Sequence, residues 1–212
     1  MTVSRLNRTF TSAITGTLTG LLLAVGAMGA AHAADQTVRV RGTVTALSGN
    51  ELQVKSREGQ PVTIKLADGW AVSAVQRAST GDIKPGDFVG IASLPKAEGG
   101  DGALEVLIFP PAMKGRGEGS YGWDLKPNSS MTNATVGDAV KSVNGSVVTV
   151  NYHGQEKKIS IPNGTPVVTL APATHDDVKP GTVVFIPTQK DASGALSASQ
   201  LIVGKNGVVP PM

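Results

Sequence analysis

The sequence predicts an all-β protein built from two small OB-like barrels in tandem, with β-sandwich units as the alternative architecture. Three observations carry that expectation. The stretch Asp82-Ile83-Lys84-Pro85-Gly86-Asp87-Phe88-Val89-Gly90-Ile91 returns as Asp177-Val178-Lys179-Pro180-Gly181-Thr182-Val183-Val184-Phe185-Ile186. Apolar residues around both stretches alternate with a period of two, which turns one face of a strand inward. The 26 Gly and 13 Pro recur at short intervals and cut the chain into short segments.

An offset of 95 residues sets Gly42 on Gly137, Ile64 on Ile159, Gly69 on Gly164, Pro85 on Pro180 and Gly86 on Gly181, while Leu52 and Val54 match Val148 and Val150 at 96. So long a period marks a duplicated domain rather than a solenoid.

Residues 1–33 read as a secretory signal peptide: Arg5 and Arg8, an apolar centre at Leu21 to Val25, then Ala31-His32-Ala33 as the cleavage site. Thr and Gly dilute the apolar run below the roughly 20 apolar residues of a membrane span. No stable membrane insertion is expected after cleavage, and the location is periplasmic or secreted.

Residues 34–110 form the first expected barrel. Val38, Val40 and Val44 alternate up to Ser48-Gly49-Asn50, Leu52 and Val54 up to Glu58-Gly59-Gln60, and Val62, Ile64 and Leu66 up to Asp68-Gly69. Ser79 with Asp82 fits a capping box, which places one helical turn there. Pro85-Gly86 then makes a type II turn, Pro presetting φ and Gly accepting a positive one. Strands at Phe88 to Leu94 and Ala103 to Phe109 complete the unit.

Residues 135–204 form the second barrel on the same plan, with turns at Asn144-Gly145 and His153-Gly154 and a capping box at Thr174 and Asp177. Residues 111–134 lie between the two and carry Tyr121 and Trp123 in a Gly-rich setting. An ordinary linker lacks large apolar groups, so an ordered connector is expected. Residues 205–212 are expected to be a loose tail.

The net charge of +3 falls to about +1 once Arg5 and Arg8 leave with the signal. Lys and Arg are scattered, whereas nucleic-acid binding needs them clustered, so no nucleic-acid partner is expected. The absence of Cys excludes disulfides, thiolate zinc sites and Cys nucleophiles.

Together the signal peptide, the duplicated Asp-[Ile/Val]-Lys-Pro-Gly turns, and Glu105 to Pro110 followed by the glycine-spaced stretch from Gly115 to Leu125 resemble a group of uncharacterised exported proteobacterial proteins with duplicated small-barrel domains of unknown function. The resemblance covers nearly all of residues 34–212 and implies no activity or site residues. Some of those proteins carry a label as metal-transporter permeases, and this chain departs from that label in lacking spanning helices.

Exposed aromatics beside polar groups suit sugars or peptides. Arg116, Glu118, Tyr121, Trp123 and Asp124 are therefore the candidate ligand-binding residues, with an envelope protein or a glycan as the partner. Glu118 and Asp124 as catalytic carboxylates would need a fixed separation and one raised pKa, which the sequence does not display, and no nucleophile elbow or phosphate-cradling loop is present. His153, His175 and Asp176 offer imidazole and carboxylate donors for a transition metal. A non-enzymatic binding or scaffold protein is the expected function, ahead of a soluble metal-handling accessory and, last, a carboxylate-dependent hydrolase.

Overall fold

The computed structural model describes residues 36–142 and 145–211. The expected signal peptide and Asn144 of the Asn-Gly turn lie outside the described residues. Among these, one compact unit carries twelve strands: β1 (Gln36–Ser48), β2 (Glu51–Ser56), β3 (Pro61–Arg77), β4 (Phe88–Pro95), β5 (Asp101–Ile108), β6 (Gly119–Gly122), β7 (Ser130–Ser142), β8 (Gly145–Tyr152), β9 (Gln155–Pro162), β10 (Val167–Pro172), β11 (Val183–Lys190) and β12 (Leu196–Gly204). The fold is an all-β barrel fold, and closure rules out the sandwich alternative.

Strand pairing departs from the expected boundaries at 34–110 and 135–204. One ring closes in the order β1, β2, β3, β12, β11 and back to β1, with β12 parallel to β3. The other closes as β7, β8, β9, β5, β4 and back to β7, through a short parallel contact of Asp101 with Ile159 and Gly102 with Ser160. Each ring thus takes three strands from one side of the connector and two from the other.

The reason lies in β3. Gly69, at φ 69°, continues the strand with a kink instead of turning it back. At about 3.3 Å per residue, the 17 residues of β3 outrun the height of a small barrel and carry the chain out of the first ring. Residues 78–87 then deliver β4 into the second. The end of β3 runs antiparallel to β10, and Val75 sits opposite Leu170, its own counterpart at the 95-residue offset. The crossing segments therefore meet about an approximate two-fold axis.

The recurring turns form as their residues dictate. The Ser79 and Thr174 amides donate to Asp82 and Asp177 carboxylates at 2.8 Å each, opening single 3-10 turns at Thr80–Asp82 and His175–Asp177. Gly86 and Gly181 both take φ 91°, as the type II turn requires.

Each Pro-Gly turn then clips the first strand of the other half. Gly86 N–H donates to Val136 O at 2.8 Å, and Gly181 N–H to Val44 O at 2.9 Å. Val44 and Val136 are thus equivalent, 92 positions apart, and the sequence match of Gly42 with Gly137 does not hold. The chain from Val136 to Val150 is four residues longer than that from Val44 to Val54, which shifts the offset. Gly137 sits in the bulge after Val136, while Gly42 stays in register opposite Ser56, where a Cβ would collide with the Lys55 carbonyl oxygen.

The cores follow the rings. Val44, Leu52, Ile64 and Leu66 pack with Val184, Ile186, Leu201 and Val203 in the first. Val89, Ile91 and Val106 pack with Val136, Val148, Val150 and Ile159 in the second. A third cluster of Val75, Leu107, Val168 and Phe185 fills the crossing between them.

The C-terminal segment is packed rather than loose. Asn206 and Gly207, at φ 53° and 74°, turn the chain back, and Val208 N–H donates to Lys205 O at 2.9 Å. Val208 rests on the third cluster, and Pro210 and Pro211 are buried. Three apolar residues in four hold the segment down against apolar surface. Gly204 leaves room for it, since a Cβ there would meet the Val208 carbonyl oxygen.

Candidate functional site

After the 3-10 turn at Pro111–Met113, Gly115, Gly117 and Gly119 take φ 82°, 62° and 138° and fold the connector back on itself. Strand β6 then pairs with β7, placing Tyr121 opposite Met131. Trp123 N–H donates to Ser129 O at 2.8 Å and Ser129 Oγ returns a bond to Trp123 O at 2.9 Å, which fixes the loop that presents the indole.

That ring lands on the outer face of β1 and β11. Alternation puts Val40 and Ile186 inside the first barrel and Arg39, Arg41 and Phe185 outside it. The Arg39 guanidinium lies 3.9 Å from the Trp123 centroid, Tyr121 meets the indole edge-on at 6.2 Å, and Phe185 flanks it at 6.5 Å. A partly exposed cation–π contact of this kind is worth about 0.5–2 kcal/mol. Asp124 binds Arg41 at 2.8 Å and approaches Arg39 at 3.9 Å.

Burial pushes the Asp124 carboxyl up, but the hydrogen bond from Arg41 and the charges of Arg41 and Arg39 outweigh it and hold the group below its usual value. A depressed carboxyl stabilises the docked state above the ordinary aspartate pKa of about 4, and the contribution is lost as pH falls through the lowered value. Titrated from pH 7 to 3, Trp123 emission is expected to shift to the red below about pH 4. The shift is expected to vanish in Asp124→Asn, which starts from the loosened emission.

The predicted ligand-binding residues thus separate. Trp123 and Asp124 attach the connector to the first barrel. Arg116 Nη2 reaches Gln200 Oε1 of β12 at 3.3 Å. Glu118 accepts the His153 amide of the second barrel at 2.9 Å. The two acids serve opposite barrels and do not form a pair. Tyr121, 40% exposed, accepts from Asn133 Nδ2 at 3.0 Å.

The predicted metal residues are not gathered either. His153 occupies the β8–β9 turn at φ 47°. His175 stacks on Trp70 of the first barrel, with centroids 3.8 Å apart, and its Nε2 is 3.1 Å from the Trp70 carbonyl oxygen. Asp176 points into solvent beside it. Among the described residues no cluster of three or more His, Cys, Asp or Glu side chains is placed to hold a metal.

Several cavities adjoin the Trp123 cluster. A small one of about 70 Å³ is lined by Phe109, Tyr121, Trp123, Met131 and Pro211. A larger cleft of about 600 Å³ is lined by Arg41, Lys55, Arg57, Leu125, Pro210 and Pro211. Buried Glu105 borders both. Register places Thr43 opposite Lys55, so the cleft's cations come from neighbouring strands, and Lys55 and Arg57 are exposed in it.

No family model, curated protein or solved structure matches the chain.

A second polar centre was not legible as a motif. At the mouth of the second barrel, Lys157 Nζ lies 2.7 Å from Asp101, whose carboxylate also accepts from Ser93 Oγ at 2.7 Å. Lys157 extends to Thr132 Oγ1 and Ser130 Oγ at 3.3 and 3.4 Å. Burial pushes the Asp101 carboxyl up, and the hydrogen bonds from Lys157 and Ser93 overcome it to leave the group below its usual value.

The first barrel carries apolar residues at the same places. Leu196 pairs with Ile64 as Asp101 does with Ile159, and Val62 stands 95 positions before Lys157. Comparison of the two halves was the available signal.

Proposed function

We propose that the chain is an exported, non-enzymatic binding protein: two tandem barrel repeats behind a signal peptide, acting in the periplasm or outside the cell. Its ligand site is the cleft of about 600 Å³ between the barrels, and its ligand is an acidic segment of an envelope protein. The observation that carries this reading is the cleft itself, where Lys55 and Arg57 stand exposed and Leu125, two residues past the docked Trp123, lines the wall.

The acids with chemical potential support it. Asp124 is bound to Arg41, Asp101 to Lys157 and Glu118 to the His153 amide. Acid–base catalysis calls for a pair whose environments push their pKa values apart, and Asp101 and Asp124 are both shifted downward.

Calorimetric titration of the full chain with oligoglutamate at low salt tests the site. Binding that weakens as salt rises is expected, and Lys55→Ser with Arg57→Ser is expected to weaken it about tenfold, since rim charges contribute modestly to affinity. Absence of any heat with oligoglutamate, or equal affinity in the double variant, overturns the reading.

A further inference from the structure

We infer that residues 209–211, which line the cleft, hold a place in it that a partner segment takes when it displaces them, and that this partner segment is extended and proline-bearing as well as acidic. This rests on the reading of the cleft as the ligand site.

The segment behaves as a ligand would. Pro210 and Pro211 have no amide hydrogen and cannot extend the sheet, yet both are buried between the barrels. Pro211 lines the small aromatic cavity and the large basic cleft alike. Its displacement joins the two into one groove, aromatic at one end through Phe109, Tyr121 and Trp123 and cationic at the other through Lys55 and Arg57, with buried Glu105 bordering both parts.

Aromatic-lined grooves take proline segments because a preformed polyproline II helix loses little entropy on binding. The indole supplies a further mark. Trp123 Nε1 is buried without a hydrogen-bond partner, and an unmade bond of that kind costs about 1–3 kcal/mol. A carbonyl oxygen from an incoming peptide provides the acceptor that the present occupant does not.

Charge identifies what the partner adds. The run Lys205-Asn206-Gly207-Val208-Val209-Pro210-Pro211 holds no acid, so it offers no anion to Lys55 or to Arg57, whose only charge partner at hand among the described residues is its exposed neighbour Glu58 at 3.8 Å. A segment with acids beside its prolines satisfies both ends of the groove. The segment is held by the turn at Lys205, the ion pair of Lys205 with Asp177 at 2.9 Å and the packing of Val208 on the third cluster, and its short covalent tether presents it at an effective millimolar concentration. The resident segment therefore masks the groove until a better-matched one arrives.

The test uses the full chain and the variant P210S/P211S, titrated with the synthetic peptides Val-Val-Pro-Pro-Glu-Glu and Val-Val-Ser-Ser-Glu-Glu, followed by Trp emission and calorimetry. The proline peptide is expected to bind the variant at least about tenfold more tightly than the unaltered chain, and the serine peptide is expected to gain nothing. Equal affinity of the proline peptide for both proteins, or equal gains for both peptides, overturns the inference. If the serine peptide binds both proteins alike and Lys55→Ser with Arg57→Ser removes that binding, the anion site stands and the masking segment falls. If neither peptide binds either protein, both readings fail. Should P210S/P211S lose its melting transition, Lys205→Ser serves instead, with a tightening of about two- to threefold expected for the proline peptide and none overturning the inference.

Discussion

Expressed alone, residues 34–110 are expected to yield no folded monomer. In the intact chain, β1, β2 and β3 close only through β11 and β12, and Leu52, Ile64 and Leu66 are covered by Val184, Ile186, Leu201 and Val203. Losing those four partners forfeits about 1.5–3 kcal/mol for each buried side chain, a sum comparable with the 5–15 kcal/mol that holds a typical domain together. Two unpaired sheet edges would also be left open, while β4 and β5 would have no ring to join.

Because the exchange runs about an approximate two-fold axis, two copies of the fragment can supply each other, so any folded product is a dimer. Mixing with residues 111–212 is expected to restore a monomeric barrel spectrum. Circular dichroism with sedimentation velocity reads both. A fragment that melts cooperatively as a monomer would mean that the strands do not cross between halves.

Lys157→Val is expected to cost about 2 kcal/mol of stability, because it strands a charge at a largely buried position. Asp101 is 15% exposed and would keep only the Ser93 hydroxyl. The double change Asp101→Leu with Lys157→Val writes the first barrel's Leu196 and Val62 into the second. Most of the loss is expected to return, since apolar pairs of matching volume replace partly buried ion pairs with little penalty.

Acid distinguishes the two. The lowered Asp101 carboxyl makes its contribution above the ordinary aspartate range and loses it as pH falls through the lowered value, so that acid sensitivity is expected to diminish in the double variant. Urea midpoints at pH 7 and at about pH 2, below the ordinary aspartate range, supply the comparison. A single variant as stable as the unaltered chain would show that the pair contributes nothing.

Part of the site was legible in the residues. Tyr121 and Trp123 stood out because large apolar side chains in a Gly-rich connector have no other use than packing or contact, and Trp123 is packed. Arg39 and Arg41 read as ordinary outward positions of an alternating strand, since nothing local tells which outer face another segment will cover. Asp101 and Lys157 were hidden for a related reason: a polar residue at an inward position looks like a lapse in the pattern, and only Leu196 and Val62 at matching places reveal a substitution. The histidines misled because a shared sequence neighbourhood does not bring side chains together, and His175 is taken up by Trp70.

The sequence by itself determined most of the strands and their inward faces, the capped turns before Pro85 and Pro180, and the recurrence of the Pro-Gly stretch, but neither β6 nor the run of β3 past Gly69. These follow from residue-level preferences: alternation, the φ of Pro and Gly, and the reach of a carboxylate three positions on. Which half closes which ring was decided only in three dimensions. Val184, Ile186, Leu201 and Val203 in one half and Val89, Ile91 and Val106 in the other present the same kind of apolar face, so either closure buries similar surface. The length of β3 past Gly69 and its pairing with β10 across the axis select the exchanged arrangement, and that exchange creates the cleft in which Pro210 and Pro211 lie.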